Sequence, residues 1–217
     1  MYKTVVFDLD GTLLNTLTDL ADAGNRLCRK YGWPTHERQA YRYFVGNGIP
    51  KLVERLAPAD QRTPAVLEAA LADFKRDYGQ HLRDTTAPYP GIPEMLAKLK
   101  ANGVQLAVFS NKADALAKEA VKDYFGTQYF TIVRGQMTGV APKPAAEGTN
   151  ALLQALHADP ASTLYVGDSN VDVETAHNAN LPCCGAVWGF RTREELNAAG
   201  AEYLAENSDE LYDVIMK

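Results

Sequence analysis

At 217 residues the chain has room for one large domain or two small ones. Its 46% apolar and 23% charged residues are those of an ordinary globular protein, which excludes intrinsic disorder. Lys plus Arg number 22 against 27 Asp plus Glu, and the resulting net charge of −5 disfavours a nucleic-acid backbone or an anionic membrane surface as a partner.

Thr4-Val5-Val6-Phe7 is a short β-branched run of the kind buried on both faces of a sheet, and it breaks off at Asp8-Leu9-Asp10-Gly11. From residue 16 to residue 87 strand signals vanish and every periodic stretch is helical, which predicts an inserted helical domain. Within it Leu52, Val53 and Leu56 share one helical face, while Val66, Leu67, Ala70, Leu71, Phe74 and Tyr78 form a second stripe; the two faces are expected to pack together. Thr63-Pro64 reads as an N-cap followed by proline at the first helical position. Pro88-Tyr89-Pro90-Gly91 marks the return. Helical patterns over 92–102, 113–125, 145–157 and 171–180 then alternate with strand signals at 106–109, 130–133, 163–166, 183–187 and a short one at 203–204. That alternation is the signature of an α/β protein, a parallel sheet with crossover helices, here built from residues 1–15 and 88–217 around the helical insert 16–87. No apolar run approaches the length of a membrane span, and the N-terminus lacks a basic-then-apolar leader. Three cysteines, two of them adjacent at Cys183 and Cys184, make a disulfide framework an unfavourable reading, so a cytoplasmic protein is expected, and no His/Cys spacing suits zinc.

Three of the predicted strands end in polar groups, and these carry the chemistry. Asp8-Leu9-Asp10-Gly11-Thr12 sets two carboxylates two residues apart where a strand leaves the sheet. Asp-Gly is a common turn pair, yet ligands of open parallel sheets bind outside the carboxyl ends of the strands. Gly167-Asp168-Ser169-Asn170-Val171-Asp172 follows another strand; with a helix beginning near Ser169, Asp168 and Asp172 can both face the first pair, or either can cap that helix. Four carboxylates converging on one crevice repel one another unless a cation sits among them, and an all-oxygen donor set suits Mg²⁺. Ser110, beyond the strand at 106–109, can hold a phosphate oxygen or serve as a helix N-cap. Lys143, flanked by prolines in Ala141-Pro142-Lys143-Pro144, is either a solvated loop lysine or the cation that lets a phosphate approach: four carboxylates, one Mg²⁺ and one lysine leave a single net negative charge.

The order Asp8-x-Asp10-Gly11-Thr12, Ser110-Asn111, Lys143-Pro144 and Gly167-Asp168-Ser169-x-x-Asp172 resembles the four motifs of the haloacid dehalogenase superfamily, and the resemblance covers the whole chain. It implies a Rossmann-like parallel-sheet core, with 16–87 as an inserted all-helical cap domain. Asp10-Gly11-Thr12-Leu13-Leu14, Val45-Gly46-Asn47-Gly48 and the run Trp188-Gly189-Phe190-Arg191-Thr192-Arg193-Glu194-Glu195-Leu196 look like the phosphoglycolate-phosphatase branch. The resemblance implies that Asp8 attacks phosphorus, that Asp10 acts as acid and then as base, and that Ser110, Asn111 and Lys143 stabilise the transferring phosphoryl group. Gly11 and Thr12 complete the implied substrate-binding set. Mg²⁺ would be held by Asp8, the Asp10 carbonyl and Asp168, with Asp172 behind them. Dehalogenase members lack an acid at the second aspartate, so Asp10 favours phosphoryl transfer. This chain departs from the family in reading Lys143-Pro144-Ala145-Ala146 where Lys-Pro-x-Pro is frequent, Ala179-Asn180 where Ala-Gly is common, and Asn15 where aspartate is frequent. Asparagine is the next best residue for a left-handed helix cap.

The expected function is Mg²⁺-dependent hydrolysis of a small phosphorylated metabolite, phosphoglycolate first, with no nucleic-acid or membrane partner. A phosphomutase of the β-phosphoglucomutase kind shares the motifs, and so does a phosphate-ester-binding regulator without turnover, against which the intact Asp10 counts. His36, His81, His157 and His177 have no ligand-like spacing, and Trp33 and Trp188 read as packing residues. Gly46-Asn47-Gly48, Lys51 and Arg55 are further candidates for substrate contact from the helical segment. No coiled-coil heptad appears, so a monomer or weak homodimer is expected.

Overall fold

The computed structural model describes all residues, Met1–Lys217. The elements in chain order are β1 (Thr4–Phe7), β2 (Leu14–Asn15), α1 (Leu17–Tyr31), α2 (Arg38–Phe44), α3 (Ile49–Leu56), α4 (Pro64–His81), β3 (Ala87–Pro88), α5 (Ile92–Ala101), β4 (Gln105–Ala113), α6 (Asp114–Phe125) and β5 (Phe130–Gln136). The chain continues through α7 (Ala146–Leu156), β6 (Thr163–Gly167), α8 (Asn170–Asn178), β7 (Cys183–Ala186), α9 (Arg193–Ala198), β8 (Tyr203–Ala205) and α10 (Ser208–Met216). It divides into two compact units, one of Met1–Leu14 with Pro88–Lys217, the other of Asn15–Ala87. The short strands β2 and β3, which the sequence pattern does not announce, pair with each other where the chain passes between the units.

The first unit is an α/β layer structure around a six-stranded sheet of order β5-β4-β1-β6-β7-β8, parallel throughout. Alternate residues of each strand face opposite sides. Val5, Phe7, Leu106, Val108, Leu164 and Val166 pack with Met95, Leu96 and Leu99 of α5, Val121 of α6 and Leu211 and Ile215 of α10. Val6, Ala107, Phe109 and Tyr165 pack on the other side with Leu152, Leu153 and Leu156 of α7, Val173 and Ala176 of α8 and Leu196 of α9. Burial on both faces explains why these strands are near-continuous apolar runs. The chain runs outward from β1 to β4 and β5, then returns to the other side of β1 at β6. Order therefore reverses between β1 and β6, the place where such sheets bind ligands beyond the strand ends.

β4 extends to Ala113 rather than stopping at 109, because its last residue pairs with Gln136 of β5 across a register shift. Ser110, Asn111 and Lys112 thus lie within the strand's final turn of pleat and are buried. α9 and α10 are additional to the predicted helices; both are N-capped, by Thr192 and Asn207. Asn180 takes the left-handed conformation expected of it, φ 55°.

The second unit is built from α1–α4. Leu52, Val53 and Leu56 are buried and α3 touches α4, as expected, but the buried stripe of α4 narrows to Ala70, Phe74 and Tyr78. Thr63 caps α4, its side chain accepting from the Val66 N–H. Asp19, in the first turn of α1, is 2% exposed and accepts four hydrogen bonds: from Thr85 N and Oγ1 at 2.9 and 2.5 Å, and from Thr86 N and Oγ1 at 2.9 and 2.7 Å. No helix is long and apolar enough to cross a membrane.

Candidate active site

Parallel strands put all their carboxyl ends on one edge, so the segments after β1, β4, β6 and β7 meet there. Asp8 follows β1 and continues its ladder, its N–H donating to the Val166 carbonyl at 2.8 Å. Asp8 is 7% exposed. Burial pushes its pKa up to about 7, with Lys143 pulling it down and Asp172 and Asp10 adding to the rise.

Lys143 is 3% exposed, and its Nζ lies 2.7 Å from Asp172 Oδ1 and 2.8 Å from Asp8 Oδ1, with the Phe109 carbonyl at 3.4 Å. Burial works against its charge, but Asp172 and Asp8 more than offset that and hold it protonated well above the usual lysine range. Asn111 braces the Lys143 backbone from both ends of its amide: Oδ1 accepts from Lys143 N at 2.8 Å and Nδ2 donates to Lys143 O at 3.2 Å. The peptide between Lys143 and Pro144 is cis. Asp172 sits at the third position of α8, where its Oδ2 accepts from Ser169 N at 3.1 Å and Ser169 Oγ at 2.7 Å. It thus caps its helix with one oxygen and meets Lys143 with the other.

Asp168 is 1% exposed. Burial, and then the Asp172 and Asp8 charges, raise its carboxyl well above the usual range, against the bonds it accepts from Phe190 N at 2.7 Å and Thr12 Oγ1 at 3.1 Å. Gly11 has φ 92°, and a Cβ there would collide with the Asp168 carboxylate, so only glycine lets the two segments meet. Ser110 Oγ is buried and accepts from Lys112 N at 3.2 Å.

One partner is not visible in the motif pattern. Lys112 is 6% exposed and its Nζ lies 3.0 and 3.4 Å from the two oxygens of Asp10. The signal available was a lysine at the end of an otherwise apolar, buried strand. Lys112 changes the charge accounting: Asp8, Asp10, Asp168 and Asp172 against Lys112 and Lys143 leave a net charge of −2, which one divalent cation neutralises. The candidates in the helical unit have partners of their own: Lys51 pairs with Glu54, and Arg55 donates to Tyr43 O, Phe44 O and Asn47 Oδ1. Trp33 donates to Gln61 Oε1 at 2.7 Å.

The donor set fits a hard divalent cation. One oxygen from each of Asp8, Asp168 and Asp172 lies within 4.8 Å of the others, all three residues are buried, and Asp8 Oδ1 is held only by its ion pair with Lys143. Oxygen-only ligands of this charge suit Mg²⁺.

The family model for haloacid dehalogenase-like hydrolases matches residues 5–186. The chain is 31% identical to a phosphoglycolate phosphatase from Chromobacterium violaceum over 216 residues, 98% of this chain and 96% of the relative. It is also 31% identical to a phosphoglycolate phosphatase from Thiobacillus denitrificans, covering 87% of this chain and 84% of the relative. Among solved structures it is similar to a candidate phosphoglycolate phosphatase from Lactobacillus delbrueckii subsp. bulgaricus, with TM-score 0.93, 28% identity and coverage of 99% and 98% of the two chains.

Proposed function

The chain belongs to the haloacid dehalogenase-like hydrolase family and is a phosphatase, and from that membership we propose that it hydrolyses a small phosphate monoester, phosphoglycolate first, with Mg²⁺ and through a phosphorylated Asp8. The observation that carries this reading is Asp8 itself: a buried carboxylate at the reversal of strand order, beside Lys143, Asp168 and Asp172.

Asp8 attacks phosphorus, forming an Asp8 oxygen–phosphorus bond as the ester oxygen leaves; one hard displacement becomes two easier ones. Asp10 gives its proton to the leaving alkoxide, then takes a proton from the water that attacks the phosphorylated Asp8, releasing inorganic phosphate and the free carboxylate. The contact between Asp10 and Lys112 is the arrangement suited to that second stage, with Asp10 as a carboxylate. Lys143 stays charged throughout and faces the transferring group beside Asp8, while Asn111 holds the Lys143 backbone and Ser110 offers its hydroxyl. Asp8, the Asp10 carbonyl and Asp168 would hold Mg²⁺, with Asp172 behind them. When bound, the ion supplies charge neutralisation for the incoming dianion and orients the phosphoryl oxygens. Residues 15–87 we read as the cap that selects the substrate.

Inorganic phosphate released from a panel of monoesters, phosphoglycolate included, tests the reading, with EDTA and Asp8→Asn as the two blanks. Mg²⁺-dependent release that both blanks abolish is the expected result. Silence across the panel from folded, Mg²⁺-loaded protein overturns it and directs attention to transfer onto a second sugar phosphate.

A further inference from the structure

The loop after β7 takes no part in the steps above, yet it is threaded through the site. Trp188 Nε1 donates to the Thr12 carbonyl at 3.0 Å. Thr12, fully buried, donates its hydroxyl to Asp168 Oδ1 at 3.1 Å. Two residues beyond Trp188, the Phe190 N–H donates to the other oxygen, Asp168 Oδ2, at 2.7 Å. Between them Gly189 lies so close that a Cβ would come within 2.6 Å of the Gly11 carbonyl and collide with the Asp168 side chain. The loop therefore clasps the segments after β1 and β6 together: its Phe190 N–H holds one oxygen of the buried carboxylate, and Thr12, itself held by Trp188, holds the other.

We infer that Trp188 and Phe190, acting with Thr12, are the positioning elements of Asp168: they fix the plane of its carboxylate so that the remaining lone pairs face the cation. The physical reason is the softness of the torsion concerned. Rotation of an aspartate carboxylate about χ2 is broad and weakly restrained, so a ligand carboxylate without fixed donors must be ordered when the ion binds. Two donors on different oxygens make that ordering part of folding. The Trp188 N–H acts one step earlier, holding the Thr12 backbone and hence the reach of its hydroxyl. Partners of metal ligands placed this way contribute about 10-fold to 100-fold in metal affinity. This inference rests on the Mg²⁺-dependent reading above.

The test is direct calorimetric titration of the metal-free protein with Mg²⁺ alone, alongside melting temperature and phosphate release. Thr12→Val keeps the shape and removes the donor; it is expected to weaken Mg²⁺ binding about 10-fold or more, with Thr12→Ser restoring most of the loss. Trp188→Phe keeps an aromatic ring on the side of Tyr89 and removes the indole N–H together with part of the ring; about 3-fold to 10-fold weaker binding is expected, beyond any change shared with the Val104→Ala control. Val104→Ala, a buried truncation elsewhere in the same unit, supplies a destabilised control whose Mg²⁺ affinity stays at the wild-type level. Thr12→Val and Trp188→Phe that bind Mg²⁺ like wild type, or lose no more than Val104→Ala, overturn the inference alone. A wild-type protein that binds no Mg²⁺ overturns the metal-dependent reading and this inference with it.

Discussion

Lys143 is the residue on which the others converge. Its ammonium is shared by two buried carboxylates, its backbone is held by Asn111, and the Tyr165 ring lies beneath it at 5.9 Å. Removing one member of a buried ion cluster costs far more than the cluster itself contributes, because the remaining charges stay desolvated. Lys143→Met is expected to destabilise the metal-free protein by about 3–5 kcal/mol, read from urea denaturation, and to lower phosphate release by about 100-fold or more. Loss of activity without loss of stability would show that Lys143 is not the structural keystone of the cluster. Asp8 and Asp168 were legible because each stands where an apolar run stops, a local signal that Asp10 and Asp172 share by following them closely in the chain. Lys112 was not, since its partner Asp10 lies 102 residues away and only the sheet brings them together. The same holds for Trp188 and Thr12, 176 residues apart.

At the level of elements, what periodicity conveys is which side chains are apolar, and what it omits is pairing. The core strands and crossover helices were therefore legible to within a few residues, because burial on both faces leaves an uninterrupted apolar run. β4 outlasts its apolar run because β5 offers a partner beyond it, and β2 and β3 exist only as a pair. The link between α1 and the segment leading into β3 is similarly invisible in the pattern: Asp19 alone satisfies two backbone N–H groups and two hydroxyls. Asp19→Ala takes the acceptor from all four donors; exposed Thr85 can turn to water, but the two donors of buried Thr86 are orphaned, and a buried donor left unmade costs about 1–3 kcal/mol. A loss of about 3 kcal/mol or more is expected in the unfolding of the helical unit, followed by circular dichroism, with Asp19→Asn recovering part of it by accepting through its carbonyl oxygen. An Asp19→Ala protein as stable as wild type would show that water replaces the carboxylate.

For the whole molecule, the acidic cluster sets a pH dependence opposite to that of ordinary surface carboxylates. Asp8 is raised to about 7 and Asp168 is raised as well, both chiefly by burial, so the folded chain holds these protons more tightly than the unfolded one. Stability from them is fully present below the unfolded carboxylate range near about pH 4, and is lost as pH rises through about 7. The melting temperature of the metal-free protein is expected to fall between about pH 5 and about pH 8, and Mg²⁺, which requires ionised ligands, to stabilise more at the upper end. A metal-free melting temperature that rises over that range would contradict the raised Asp8. The position of β1 has a consequence of another kind. This strand pairs with β4 about a hundred residues later and with β6 later still. Closing so long a loop is slow, and each doubling of its length adds only about 0.6 kcal/mol, so the delay lies in the search rather than in the final stability. Once Asn15–Ala87 has folded, with its two ends joined at β2 and β3, most of that intervening chain is no longer free to wander. An insert that folds first would act as a spacer of fixed span, bringing the segment that carries Asp8 within reach of the strands it must join before the site can exist.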